Sequence, residues 1–532
     1  MHKVDMNSKK YIVGIDIGSS NVTMAVGLIN SDDKISVIGV DVQSLDEGVV
    51  KCGEILFHEH VGKAIARSKK ALEEELKLII NSAYVGISGK SVYSVIYEDY
   101  IDVTSTTGLV GEHDLLELKK RIDMVISDHG DVIVSRIPIR YRINDTQEVK
   151  SPLGAVARKL SASYLFAMAS RQQVDLVKFA MHTAGIRMEG IRINSTIMPK
   201  LLLNSSEMEM GVAIVDIGSD ITDIAIVSDN KLRYFSSLPI GASSINNDMR
   251  NFIPAQKKDI ERLKRCYGSA VASMVPENAT VSVKVQVNKK KTVLQRNFAE
   301  IAEERLKDIA GFVAREIKAA NYSTKIPCGV VLTGGAAYLN NIDDLFAREL
   351  DMDVRLGTTL NGFDDESEGK VAPLPQAVAL GLLLHGAENK PCEVFAIPNG
   401  GVAGMNGIQT PPTPPVVPPV TPPVPPITPP VPPVTPPIET PTSEPTQTTE
   451  VEQPTDNTAQ PGNEEVEEPT TTVEPVDEGT DKGTEEVTEI KTTDDGEKSN
   501  GGGDKPTEGK KRSWWEKLKQ GLSDVFEQDE II

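Results

Sequence analysis

The chain has 532 residues, 56 of them basic and 77 acidic, giving a formal net charge of −21. A chain of this length exceeds what one hydrophobic core usually organises, so two or more domains are expected. Pro441 to Lys510 holds 20 acids and 5 lysines, which is 5 − 20 = −15 of the total; the remainder is only mildly acidic, which argues against nucleic-acid binding.

Cys52, Cys266, Cys328 and Cys392 stand far apart without a C-x-x-C pair, so neither structural zinc nor a disulfide framework is expected, and a reducing compartment is. The lysines near the N-terminus precede an apolar run that Asp16 interrupts, unlike a secretory signal. No stretch reaches the roughly 20 apolar residues of a membrane span. The ordered part is expected to be cytosolic.

In chain order, Tyr11 to Val26 reads as two strands around the turn Asp16-Ile17-Gly18-Ser19, and Ile35 to Val42 completes a meander. Ile55 to Ile80 has helical spacing through Val61, Ile65, Leu72, Leu76 and Ile79. From Tyr84 to Phe166 the pattern changes to a small α+β unit, opening on Ser88-Gly89-Lys90 and Val92 to Ile96. A helix near Asp114 to Ser127 and strands Val132 to Ile143 and Val156 to Phe166 complete it. The Ser-Gly-Lys triplet lacks full P-loop spacing, so a strand-turn with a polar rim is the alternative. Helix Arg171 to Ala184, stopped by Gly185, is expected to bridge two halves.

The second half replays the first. Gly211 to Val227 forms two strands around Asp216-Ile217-Gly218-Ser219, and Lys231 to Pro239 a third. Placing Asp16 on Asp216 also places Ala25 on Ala225, as in a duplication. A largely helical segment runs from Gly241 to Ser323. Strand Gly329 to Leu332 then enters Thr333-Gly334-Gly335-Ala336-Ala337, and helix Ile342 to Leu350, strand Val354 to Leu356 and helix Gln376 to Leu384 follow.

Pro411 to Pro437 consists of Pro-Pro pairs separated by Val, Ile and Thr. Proline lacks the amide donor and fixes φ, so the stretch suits a polyproline spacer of roughly 80 Å. The acidic, Thr-rich segment behind it cannot build a core. Ser513 and Glu516 then have capping-box spacing. On the helix that follows, Trp514, Trp515, Leu518, Leu522, Val525 and Phe526 fall within about 120° of arc. Lys517 and Lys519 flank that arc, the profile of a helix lying in an anionic membrane interface. The alternative is a terminal helix docked on its own core or in a partner's groove.

Each acidic turn has the chemistry of a phosphate site. Amides after Gly18 and Gly218 can face phosphate oxygens. Asp16 and Asp216 would act through Mg²⁺ and its waters, and Ser19, Ser20 and Asn21 can donate further bonds. Small residues at Gly334, Gly335 and Ala336 permit close approach of an adenosine.

On these motifs the chain resembles the actin/Hsp70/sugar-kinase ATPase superfamily and, within it, the bacterial division proteins of the FtsA family. Asp16 to Val22 looks like the first phosphate motif, Asp216 to Asp223 the second, and Val331 to Ala337 the adenosine motif. Arg171 to Gly185 and Pro375 to Leu384 are similar to the two connecting helices. Glu261, Lys264 and Gly268 resemble the adenosine-contacting helix, and Gly241 a glycine turn near the phosphates.

The resemblance implies an α/β, actin-like two-lobed ATPase fold of duplicated ribonuclease-H-like cores with an FtsA-type inserted subdomain. It divides the chain into lobe I (10–84 and 167–210), the insert (85–166), the core of lobe II (211–240 and 324–390) and a lobe II subdomain (241–323). A disordered linker (408–512) and an amphipathic helix (513–528) follow. It further implies ATP and Mg²⁺ as cofactors, and a polymerising scaffold that anchors FtsZ filaments to the cytoplasmic face of an anionic membrane at the division site. Other division proteins would bind through the insert.

Ser219 and Asp220 depart from the three glycines that many relatives carry in the second phosphate loop. Gln172 and Gln173 are the candidates for positioning an attacking water; a solvated helix surface is their other reading. A superfamily kinase or phosphohydrolase and a pilus-assembly-type adaptor are the alternative functions. An Hsp70-like chaperone is disfavoured because only proline and acid follow Lys390.

Overall fold

The computed structural model describes residues 9–127, 130–286 and 289–396. Two five-stranded sheets carry the molecule. In lobe I, Lys10–Ile17, Asn21–Ile29 and Ile35–Ser44 form an antiparallel meander. Ser82–Ile87 then joins the free side of the first strand in parallel, and Arg187–Ile193 joins Ser82–Ile87. Lobe II repeats this order with Val212–Ile217, Thr222–Ser228 and Lys231–Leu238 on one side and Val330–Thr333 and Val354–Leu356 on the other.

The repeat extends to register. Gly14 pairs with Ala25 and Asp16 with Thr23, while Ile214 pairs with Ala225 and Asp216 with Asp223. Each central strand is apolar along its whole length because both its faces are covered: Ile12, Val13 and Ile15 are inaccessible, as are Ala213, Ile214 and Val215.

In lobe I, helix His58–Leu76 covers one face of the sheet and helix Pro373–Glu388 the other. The latter is apolar on every side, as a helix enclosed by protein must be. It presses so closely on the first strand that a Cβ at Gly14 would stand 2.6 Å from the Ala379 carbonyl oxygen.

The helix expected to bridge the halves does not do so. Arg171–Thr183 packs on His58–Leu76 inside lobe I, where a Cβ at Gly62 would meet Thr183 Cβ at 2.5 Å. The passage between lobes is made by Asn194–Leu202, which crosses Pro373–Glu388 and touches lobe II strands Thr222–Ser228 and Lys231–Leu238. A short helix holding Pro199 gave too few turns for its periodicity to stand out in the sequence.

The insert is a four-stranded sheet, in the order Gln147–Val149, Asp131–Ile143, Lys159–Ser170, Val92–Asp102. Helix Glu112–Asp123 packs Leu118 and Ile122 onto Leu160, Ala162 and Tyr164. Residues 85–87, expected in the insert, lie instead in the lobe I strand Ser82–Ile87, held there by parallel pairing of Val85 with Ile15 and Gly86 with Asp16. The insert also runs along the outer strand of lobe II: Ser94 Oγ donates to the Phe235 carbonyl at 3.1 Å, and Arg233 Nη1 to that of Ile139 at 2.8 Å.

The 241–323 subdomain comprises helices Ser243–Phe252, Lys257–Tyr267 and Gln295–Ala319 with the hairpin Thr280–Gln286/Lys289–Leu294. The expected linker (408–512) and terminal helix (513–528), with Trp514, Trp515, Lys517, Leu518, Lys519, Leu522, Val525 and Phe526, lie outside the described residues. Among those described, no helix is long and apolar enough to cross a membrane.

Candidate nucleotide site

Both acidic turns are hairpin loops closed by one backbone bond, Gly18 N–H to the Asn21 carbonyl at 3.0 Å and Gly218 N–H to that of Ile221 at 2.9 Å. The amides of the glycines are therefore used within the loops. Those of Ser19, Ser20, Ser219 and Asp220 donate to no acceptor among the described residues, which leaves two pairs of free donors suited to phosphate oxygens. The Asn21 backbone belongs to the second strand, paired with Ser44.

Each loop is braced from outside. Ser19 Oγ accepts from Gly53 N–H at 3.2 Å, tying the first loop to the Cys52-Gly53 turn. That turn meets Ser88-Gly89-Lys90, since a Cβ at Gly53 would lie 2.5 Å from Gly89 Cα. Ser88-Gly89-Lys90 thus forms a turn at the end of a strand rather than a P-loop. In lobe II, Gly241 lies on the second loop, where its Cβ would stand 2.5 Å from the Ser219 carbonyl oxygen. Ala242 and Ser243 donate their amides to the Gly218 and Ser219 carbonyls. Asp220 ties the loop to the following helix: its Oδ1 accepts from Ser243 Oγ at 2.6 Å and from Ser219 Oγ at 3.3 Å.

Asp16 and Asp216 end their strands at corresponding positions, each partly open to the cleft. Burial, reinforced by the Asp223 charge, raises the Asp16 carboxyl to about 7, against a hydrogen bond from the Asn194 side chain. Burial and the charges of Asp223 and Asp16 push Asp216 well above the usual carboxylate range. Asp223, 2% exposed, is raised to about 6 by burial, while hydrogen bonds from Ser237 and Ser88 hold it down. Acids so arranged gain from a nearby cation. Among the described residues no group of three or more His, Cys, Asp or Glu has the arrangement to ligate a metal directly. The arrangement fits a cation held through its waters.

The Gly334-Gly335 turn closes against the second loop. Gly334 has φ +87°, and a Cβ there would stand 2.2 Å from Asp216 Oδ1. Its glycine is required by contact with the acidic turn and by the left-handed backbone. Gly335, by contrast, would point a Cβ into open space, and Ala336 is buried beneath it. Glu261 and Lys264 pair at 2.8 Å on helix Lys257–Tyr267, and burial lowers the Lys264 ammonium. Lys264 Nζ reaches the Ala242 carbonyl at 3.4 Å.

Contacts bring part of the expected set together: Gly241 lies on Ser219, Gly334 on Asp216, and Lys264 reaches Ala242 beside the second loop. Of the two candidate glutamines, Gln172 is exposed on its helix, as the solvated-surface reading has it, and Gln173 Oε1 accepts from Ile55 N–H at 2.8 Å within lobe I. Sequence reasoning missed Asn194, Ser88, Asp223 and Ser237. Asn194 reaches Asp16 because the intervening residue is glycine; a Cβ at Gly86 would lie 2.6 Å from Asn194 Oδ1. Asp223 was visible as the counterpart of Thr23 once the two halves were aligned.

Residues 213–374 match the family model described as Cell division protein FtsA. The FtsA of Pseudomonas aeruginosa is 25% identical over 388 residues, 72% of this chain and 91% of that protein. That of Bacillus subtilis is 26% identical over 355 residues (66% and 80%), and that of Escherichia coli K12 25% over 407 residues (73% and 92%). The chain is thus similar to proteins of the FtsA family. Among solved structures, the PilM–PilN type IV pilus biogenesis complex superposes with a TM-score of 0.50 at 14% identity, covering 71% of this chain and 98% of that one. The likeness is one of fold, and the fold is the actin-like one.

Proposed function

We propose that this chain is a member of the FtsA family, an ATP-binding scaffold that polymerises and anchors FtsZ filaments to the cytoplasmic face of the membrane at the division site. The observation that carries the nucleotide part is the pair of facing loops with free amides at Ser19, Ser20, Ser219 and Asp220. Phosphates lie between these amides, the base against the Gly334-Gly335 turn, and the ribose beside Glu261 and Lys264. Mg²⁺, held through water by Asp16 and Asp216, supplies the positive charge that lets triphosphate and carboxylates share the cleft. The role is structural: nucleotide shifts the lobes toward a polymer-competent arrangement only by its differential affinity for that state.

The anchor part rests on the sequence of the terminal helix. Trp514, Trp515, Leu518, Leu522, Val525 and Phe526 form its apolar face, with Lys517 and Lys519 beside anionic headgroups. Asp529 and Glu530 weaken that attraction, so a polymer presenting many tails binds by avidity where one tail does not. Other division proteins bind through the insert.

ATP with Mg²⁺ is expected to raise the melting temperature of the full chain, GTP is not, and Asp16→Ala abolishes the effect. No shift at millimolar ATP would overturn the nucleotide reading. In co-sedimentation with FtsZ filaments and anionic vesicles, the full chain is expected to bring the two together. A chain ending at Lys510 should bind FtsZ alone, and equal vesicle recovery by both would overturn the anchor.

A further inference from the structure

Beyond helix Pro373–Glu388 the chain turns back along lobe I, and residues 390–396 lie across the starts of its strands. The Lys390 carbonyl accepts from Tyr84 Oη at 3.0 Å. Cys392 N–H donates to the Tyr11 carbonyl at 2.8 Å, and Asn81 N–H to the Glu393 carbonyl at 2.9 Å. Glu393 N–H donates to Ser82 Oγ at 2.8 Å, and the Glu393 carboxylate pairs with Arg187 at 2.7 Å. Val394–Ala396 then pairs antiparallel with Leu78–Ile80.

Cys392 fills a gap in the sheet. Ser82–Ile87 begins to pair with the first strand only at Gly14, which leaves the outward backbone groups of Tyr11 and Val13 beside no strand. Val13 is inaccessible and Tyr11 is 8% exposed, so those groups need partners within the protein. The Cys392 amide serves Tyr11, while its sulfur accepts from Val13 N–H at 3.3 Å and donates to the Val13 carbonyl at 3.8 Å. The remaining hold is weak. A two-stranded ladder of three residues is marginal by itself, and the half-exposed Arg187–Glu393 pair adds little. Everything beyond Ala396, the terminal helix included, is joined to the body through this segment. A pull from that helix meets the three-residue ladder first and the bonds of Cys392 next.

We propose that residues 390–396 are a load-releasing clasp: tension in the tail peels them from Leu78–Ile80 and from the first strand while the five-stranded sheet of lobe I stays folded. The inference rests on the anchor reading above and adds a mechanical device at the root of the tail. Release lengthens the tail by about 25 Å at most, the extended length of the segment. It also uncovers Val13 N–H on the strand that carries Asp16. The clasp closes again when the load falls, because the buried amide has no other acceptor and regains one only in the closed state.

The test is optical-tweezers pulling of the full chain at constant force, with one handle attached site-specifically at the exposed Cys266 and the other at Ile532. The wild-type chain is expected to show a reversible step of about 25 Å at most before lobe I unfolds. Cys392→Ala leaves Val13 N–H without its acceptor and is expected to open at least about tenfold faster at the same force. Phe395→Thr changes a side chain that is 56% exposed and should leave the opening rate within about twofold. A wild-type chain with no step ahead of global unfolding would overturn the clasp, even if neither variant folds. A step whose rate Cys392→Ala leaves unchanged would do the same. Failure of the wild-type chain to float with anionic vesicles would instead overturn the anchor reading, and with it the source of the load.

Discussion

Ser88, just past the end of a lobe I strand, donates its hydroxyl to Asp223, a buried carboxylate of lobe II. Ser237 donates to the same oxygen, and Asp223 stands where lobe I has Thr23. The two halves are thus joined beside the acidic loops by a bond that duplication alone does not provide. Ser88→Ala leaves Asp223 with one hydroxyl donor and is expected to cost about 1–2 kcal/mol. A fall of a few degrees in the melting temperature reads it out, and an unchanged melting temperature would show that the bond contributes nothing.

The adjacent glycines Gly334 and Gly335 make opposite demands. Gly334→Ala puts a Cβ 2.2 Å from Asp216 Oδ1 at a φ of +87°, so a loss of roughly 2–4 kcal/mol is expected. Gly335→Ala meets nothing within 4 Å and should change stability by less than about 1 kcal/mol. Denaturant unfolding of both variants decides the matter, since similar losses in the two would mean that the contact at Asp216 is not what selects glycine.

His385 sets a pH dependence remote from the cleft. Its Nε2 accepts from Arg192 Nε at 2.8 Å, and burial together with the Arg192 charge lowers its pKa to about 4 from the ordinary 6.5. The unfolded chain takes up this proton at a higher pH than the folded one. The contribution is therefore complete above pH 6.5, declines as the pH falls through that value toward 4, and is level below. Because the ring is only partly buried, about 1–2 kcal/mol is expected after allowance for solvent screening. Asp16 and Asp223 have raised folded pKa values and shift stability in the opposite direction over an overlapping range. The measurement is therefore the difference between wild type and His385→Gln at pH 7 and pH 4.5. A difference independent of pH would refute the assignment.

Asp248 and Arg305 form an ion pair between two helices of the 241–323 subdomain, with side chains 6% and 5% exposed and Nη2 to Oδ2 at 2.7 Å. Arg305→Met strands a buried carboxylate and is expected to cost about 3–5 kcal/mol, whereas the double variant Asp248→Leu/Arg305→Met recovers much of that loss. A double variant no more stable than the single one would show that the pair itself, rather than the stranded charge, carries the energy.

The sequence by itself determined the repeat. Two apolar runs ending in Asp-Ile-Gly-Ser dictate two buried central strands with the same turn, and the turns became the facing loops, because a strand covered on both faces has to be apolar throughout. The small residues after the strand Val330–Thr333 also singled out Gly334, while Gly241, Glu261 and Lys264 came only from the resemblance to a known family. Only the tertiary structure decided that Asn194–Leu202, rather than Arg171–Thr183, passes between the lobes, and that residues 85–87 belong to the lobe I sheet. Parallel pairing joins residues about 70 apart in the chain, such as Asp16 and Gly86, and nothing local encodes it. The roles of Asn194 and Ser88 were invisible for the same reason. A polar residue at the end of a strand or on a short helix takes its meaning from the carboxylate the fold places opposite it, and Asp16 and Asp223 come from other elements.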